Sequence, residues 1–123
     1  MTRAEPVGLP AQPFRVSFVC TGNSCRSPMA EVVLRDLAAQ AGLERALRVD
    51  SAGTGAWHVG ERADHRTIAA LERAGYDGSR HRARQFEPEW FRELDLVVAF
   101  DRGQARILRN WGHHSGERDK VRL

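Results

Sequence analysis

The run Arg15-Val16-Ser17-Phe18-Val19-Cys20 passes directly into Thr21-Gly22-Asn23-Ser24-Cys25-Arg26-Ser27-Pro28, and no other segment constrains the fold as strongly. Its β-branched and aromatic residues read as a strand, Gly22 and its small polar neighbours as a tight loop, and Ser27-Pro28 as the N-cap and first residue of a helix. A strand entering a loop that opens a helix aims several backbone N–H groups and the positive end of a helix dipole at one point. Such a point favours an anion. Cys20 lies inside that field, where a thiol beside Arg loses its proton more readily, so a nucleophilic thiolate is expected there. Arg26 supplies a planar fork able to hold two oxygens of a phosphoryl group in transfer. Cys25 lies in the same loop. If the loop curls around one phosphate, the two cysteines come within the roughly 4 to 7 Å Cα separation of a disulfide. A reversible oxidation brake is therefore expected.

The remaining pattern alternates strand and helix. A helix is expected from Pro28 to about Ala41, with Met29, Val32, Val33, Leu37 and Ala41 as its apolar stripe and Gly42 just past its end. Leu47 to Ser51 alternates as a second strand, and Asp64 can cap a second helix in which Ile68 and Leu71 face inward, closing at Gly75. Leu94 to Phe100 is almost continuously apolar, as in a strand buried on both faces. A third helix through Ala105, Leu108 and Trp111 follows, and Val121 to Leu123 opens a fourth strand. The class is α/β: an open parallel sheet with flanking helices, doubly wound, with its ligand at the carboxyl ends of the strands. Asp101, just past the third strand, falls at that edge or caps the next helix.

With 123 residues the chain fits one domain, expected over residues 14–123, after a flexible tail at 1–13 that carries three prolines. No apolar run is long enough for a membrane span, and the tail does not read as a signal peptide. Two cysteines make no disulfide framework, and a nucleophilic thiol suits a reducing compartment, so a cytoplasmic location is expected. The net charge of +3 is modest and Arg is spread along the chain, which argues against nucleic acid as a partner. His113-His114 lack partners at metal spacing. Neither a metal nor a cofactor is expected.

The stretch Val16 to Glu31 resembles the active-site segment of the low-molecular-weight protein tyrosine phosphatases, whose signature is Cys-x5-Arg-Ser followed by Pro. Residues 50–60, 81–85 and 95–101 resemble further segments of that family in the same order, so the likeness covers about residues 15–123. Bacterial members of actinomycete type are nearest. The resemblance implies a flavodoxin-like fold and hydrolysis of phosphotyrosine in protein substrates through a phosphocysteine on Cys20. It assigns Cys20, Arg26 and Ser27 to catalysis, and Thr21, Gly22, Asn23, Ser24 and Cys25 to binding phosphate or another oxyanion. Asn23, Ser51 and His81 match the polar network that holds the loop, and Trp57 matches an aromatic wall of the substrate cleft.

The pattern departs from the family at the end of the chain. An Asp-Pro loop carrying the general acid, and a closing helix, are not found before Leu123, and none of Glu61, Asp64, Asp101 or Asp119 matches that Asp. The domain is thus expected to be incomplete at its C-terminus. A longer product is favoured over a truncated one, because a stop in mid-strand leaves apolar surface uncovered. Other readings stay open. Protein-arginine phosphatases of this fold carry Thr at the Ser24 position, whereas Trp57 favours an aryl phosphate. Thiol-dependent arsenate reductases share the loop but relay electrons through later cysteines, and no Cys follows Cys25. A non-catalytic phosphate-binding module follows if the acid loop does not exist.

Overall fold

The computed structural model of the chain describes residues 12–123. The tail expected over residues 1–13 lies almost wholly outside them. Strands β1 (Phe14–Cys20), β2 (Leu47–Gly53), β3 (Leu96–Ala99) and β4 (Val121–Arg122) form one parallel sheet in the order β2-β1-β3-β4. Parallel neighbours need crossover connections, and such connections are right-handed as a rule. The step from β1 to β2 runs opposite to the step from β3 to β4, so helices α1 (Arg26–Gln40) and α3 (Arg102–Trp111) fall on opposite faces. This is the doubly wound α/β arrangement expected. The reversal of winding between β1 and β3 opens a crevice at their carboxyl ends. Cys20 ends β1 on one side of it, and Asp101 follows β3 on the other.

Several boundaries differ from expectation. Helix α1 begins at Arg26 with Cys25 as its N-cap, and the first helical bond runs from the Met29 N–H to the Cys25 carbonyl at 3.2 Å. Pro28 therefore sits later in the first turn than expected, still where an N–H has no intrahelical partner. The apolar stripe is also displaced. Leu37 is 48% exposed and Ala41 exposed, whereas Ser27, Pro28 and Ala38 are buried, because the inward face of the first turns carries polar residues that serve the loop rather than the core. Helix α2 (His65–Arg73) starts at the Asp64 cap, with Leu71 buried as expected and Thr67 beside it; Gly75 follows with φ +91. Strand β3 is shorter than Leu94 to Phe100. Val97 and Ala99 are buried, but Leu96 and Val98 stay part-exposed because α1 packs over β1 and β2. A 3₁₀ turn (Pro88–Arg92) and a one-turn helix α4 (Ser115–Arg118) are too short to leave a periodic signal.

The core lies on the α3 face. Val19, Ala52, Val97, Ala99 and Val121 from the strands meet Ala105 and Leu108 of α3, and Phe86, Phe91 and Leu94 close the end. Phe86 is the hub: its ring is 5.1 Å from Phe91 and 5.5 Å from Trp90 edge-on, and stacks 6.4 Å from Trp111. The outer edge of β2 is covered by side chains. Arg35 donates to the Val49 carbonyl at 2.6 Å and Arg84 to the Ser51 carbonyl at 3.1 Å, occupying acceptors that an incoming strand would use.

Two aromatic residues should therefore respond oppositely to truncation. Phe86→Ala, which empties a fully packed site, is expected to cost about 3–5 kcal/mol of unfolding free energy, whereas Trp57→Ala at an exposed position should stay within about 0.5 kcal/mol. Urea titration followed by far-UV circular dichroism separates the two; comparable losses would contradict this placement of the core.

Candidate active site

Loop 20–25 is shaped by what its carbonyls do. The Cys20 oxygen accepts from the Thr54 N–H at 2.8 Å, the Thr21 oxygen from Gly55 at 2.9 Å, and the Ser24 oxygen from Asp64 at 2.8 Å. The Asn23 oxygen pairs with His81 Nε2 at 2.8 Å, which makes that nitrogen the donor. With these carbonyls held outward, the loop's N–H groups are left to point inward. The backbone N–H groups of Asn23, Ser24 and Ser27 accordingly converge on the Cys20 sulfur. Gly53 makes the close approach possible: a Cβ there would lie 2.7 Å from the Thr21 oxygen.

Asn23 holds the turn itself. It is fully buried, it is the single non-glycine with positive φ (+55) among the described residues, and it adopts the left-handed conformation that Asn tolerates better than most side chains. Its amide nitrogen donates to Ser27 Oγ at 2.8 Å and to Ser51 Oγ at 2.9 Å, while its Oδ1 accepts from the Arg84 N–H at 2.9 Å. Ser51 in turn donates to Glu31 Oε1 at 2.5 Å. His81, its side chain only 6% exposed, has Nδ1 3.8 Å from the same carboxylate oxygen. The structure thus brings Asn23, Ser51 and His81 together around the loop.

Cys20 Sγ lies 2.9 Å from Ser27 Oγ. Burial pushes the thiol pKa up, but the Ser27 hydroxyl and the N–H groups of Ser27, Asn23 and Ser24 outweigh it, and the net result lies below the ordinary value. Because Asn23 already donates to Ser27 Oγ, the hydroxyl's own proton is free for the sulfur or for the Ala52 carbonyl, 3.4 Å away. Both cysteines are free thiols, Cys20 buried and Cys25 exposed. The Arg26 guanidinium lies 3.8 Å from Asp101 Oδ2 and 5.6 Å above the Phe100 ring, half exposed at the edge of the crevice.

Trp57 is 71% exposed and lies over Gly55, so it is not a core residue. The neighbouring His58 ring covers Gly22 of the loop and binds Glu61 through Nδ1 at 2.9 Å. Thr21, Gly22, Ser24 and Cys25 lie in the loop between β1 and α1. His113 and His114 are exposed and both engage Glu117; among the described residues no cluster of His, Cys, Asp and Glu is placed to hold a metal. Three participants were not read from the sequence: Glu31, Arg84 and Gln104. Glu31 is four residues after Ser27, hence on the same helix face. Gln104 completes the pattern Asp101-x-x-Gln104, a helix-start signature that could have flagged it. Arg84 acts through its backbone N–H, which leaves no mark on side-chain type.

A family described as low molecular weight phosphotyrosine protein phosphatase matches residues 15–123. The low molecular weight protein-tyrosine-phosphatase of Streptomyces coelicolor is 56% identical over 110 residues, covering 89% of this chain and 66% of that protein. Among solved structures, YfkJ from Bacillus subtilis aligns with a TM-score of 0.85 at 37% identity, over 89% of this chain and 69% of that one. The Drosophila arginine phosphatase aligns with a TM-score of 0.81 at 32% identity, over 88% and 69%. The chain spans about two thirds of the length of these relatives.

The hydrogen bonds on sulfur make a prediction with a definite sign. The rate of Cys20 alkylation by iodoacetamide should inflect below the ~8.5 of an ordinary thiol, and Ser27→Ala should move that inflection to higher pH. A lowered folded-state pKa means that the thiolate stabilises the fold fully above the ordinary thiol value. That contribution is lost as pH falls through the lowered one. Mass spectrometry of the Cys20 peptide after timed alkylation reads the profile, and an unchanged inflection in Ser27→Ala would remove Ser27 from this role.

Proposed function

The chain belongs to the low molecular weight phosphotyrosine protein phosphatase family, and we propose that it hydrolyses phosphotyrosine in protein substrates, in the cytoplasm, through a phosphocysteine on Cys20. The observation that carries this reading is the Cys20 sulfur, 2.9 Å from Ser27 Oγ, at the base of a loop whose Cys20, Thr21, Asn23 and Ser24 carbonyls are all bound from outside, which leaves its N–H groups to an anion. A phosphoryl group placed there would have its oxygens bound by the N–H groups that now face the sulfur. Arg26, at N1 of α1, would leave Asp101 and lay its fork across two of those oxygens.

The chemistry balances in two steps. Cys20 Sγ attacks phosphorus in line, the S–P bond forms as the P–O bond to the aryl group breaks, and the phenolic oxygen departs with the electron pair and gains a proton. Water then attacks phosphorus, the S–P bond breaks, and inorganic phosphate leaves with the thiolate restored. Ser27, 2.9 Å from the sulfur, stabilises that thiolate both as nucleophile and as leaving group. Trp57 offers an exposed flat face beside the loop on which a phenyl ring can stack. Ser24 and the likeness to an arginine phosphatase support a second reading, phosphoarginine as substrate.

Rapid acid quench of the protein with a labelled aryl phosphate should place the phosphoryl label on Cys20, and Cys20→Ser should abolish turnover while still binding tungstate. Label on a His or on Ser27 would overturn the mechanism. Parallel assays on phosphotyrosine and phosphoarginine peptides separate the two substrates, with the former expected to be faster.

Asp101 is poorly suited to act as the acid, since Oδ1 accepts from the Gln104 N–H and Oδ2 faces Arg26, and Asp64 is occupied as the α2 cap. The 123-residue chain should therefore depend steeply on its leaving group. p-Nitrophenyl phosphate is expected to be cleaved roughly 10² to 10⁴ times faster than phenyl phosphate, the span that a positioned acid supplies. A flat dependence across substituted phenyl phosphates would identify an acid within residues 1–123.

A further inference from the structure

Gln104 has so far been credited only with the N–H that binds Asp101, yet it is a 97%-buried polar residue whose side chain touches the loop. It is the third residue of α3, where a capping-box Gln ordinarily folds back to the N–H of its own N-cap. Here the side chain reaches one residue farther. Its Oε1 accepts from the Phe100 N–H at the end of β3 at 3.0 Å, and its Nε2 donates to Thr21 Oγ1 at 3.0 Å. The amide cannot be turned around, because the Phe100 N–H can only donate and so demands the oxygen. Thr21 Oγ1 is thus fixed as an acceptor toward α3, and its single proton is directed elsewhere. The backbone N–H of Gln104 meanwhile binds Asp101 Oδ1 at 2.8 Å, leaving Oδ2 toward Arg26. One residue therefore ties the end of β3, the carboxylate that faces Arg26, and the first residue after Cys20.

We infer that Gln104 is a positioning residue, acting through Thr21 and Asp101 to hold the Cys20 end of the anion cradle in register with β3. The inference rests on the phosphatase reading above. The loop's other anchors come from the β2 side and from residues 64 and 81, so Gln104 is the anchor across the crevice between β1 and β3. A displacement of the cradle by a fraction of an ångström relative to Arg26 is the kind of error that costs a phosphoryl-transfer site much of its rate.

The test is a double-mutant cycle of Gln104→Met and Thr21→Val, read by tungstate affinity in calorimetry and by kcat/KM on p-nitrophenyl phosphate, with circular dichroism fixing the folded fraction. Each single variant should lose roughly ten- to a hundredfold in both readouts, and the double variant should lose no more than the larger single loss. Thr21→Ser provides a second, independent arm. It restores the hydroxyl that accepts from Gln104 Nε2, so it should regain most of the affinity and rate that Thr21→Val loses, whereas in the Gln104→Met background the same change from Val to Ser should regain none. Additive losses in the cycle, or equal recovery by Ser in both backgrounds, would overturn the assignment and leave the phosphatase reading intact. A parent that binds tungstate without turnover would overturn that reading, and the binding cycle alone would then decide on Gln104. A parent that binds no tungstate would overturn both.

Discussion

Everything at this site depends on a loop that has its carbonyls tied down from outside. A six-residue turn around an anion needs its N–H groups pointing inward, and a free peptide has no reason to hold them so; their dipoles repel one another. The Cys20, Thr21, Asn23 and Ser24 oxygens are each engaged by a partner from another part of the chain, and Asn23 adopts φ +55 to make the corner. The anion site is in this sense made by tertiary structure. Residues 51–55, 64 and 81–84 contribute as much to its shape as the loop's own sequence does.

The same anchors explain why the Cys20 thiol is made more acidic in a buried place. Desolvation alone would push its pKa up, and the donors from Ser27, Asn23 and Ser24 outweigh that. Those donors are oriented before any substrate arrives. Reorganisation is thus largely complete in the folded protein, which is how hydrogen bonds of ordinary strength become effective in catalysis. Buried polar networks carry a corresponding risk. Each member of the chain Glu31–Ser51–Asn23–Ser27 satisfies the next, so removal of one leaves its neighbour unpaired in a dry environment.

How much of this was legible in the sequence varied by the kind of interaction. The strand, the loop and the helix after it showed in residue type because Val16, Phe18 and Val19 give way to the run Thr21 to Ser24 where the chain must turn. The open parallel sheet followed from β-α alternation, whereas the order β2-β1-β3-β4 was not read, because alternation alone does not say which strands are neighbours. Helix α1 was misread in detail for a physical reason: a helix that buries Ser27 and half-buries Glu31 to serve a site departs from the apolar periodicity that a helix serving only the core displays. Contacts made by backbone atoms, such as the Arg84 N–H on Asn23 and the Asp64 N–H on Ser24, were invisible because any residue can make them. Short elements such as the turn at Pro88–Arg92 fall below the length at which periodicity exists at all.

Arg84 has a double attachment whose consequence reaches beyond catalysis. Its guanidinium group covers the Ser51 carbonyl on the open edge of β2, pairs with Asp50 at 3.0 Å and lies over Trp90, while its main chain supports Asn23. Any process that pairs another strand with that edge must first dislodge this side chain, and in doing so it pulls on the segment that shapes the cradle. Resistance to edge-to-edge association and integrity of the anion site are therefore mechanically linked in this fold, so that early self-association would register as a weakening of oxyanion binding before any loss of secondary structure.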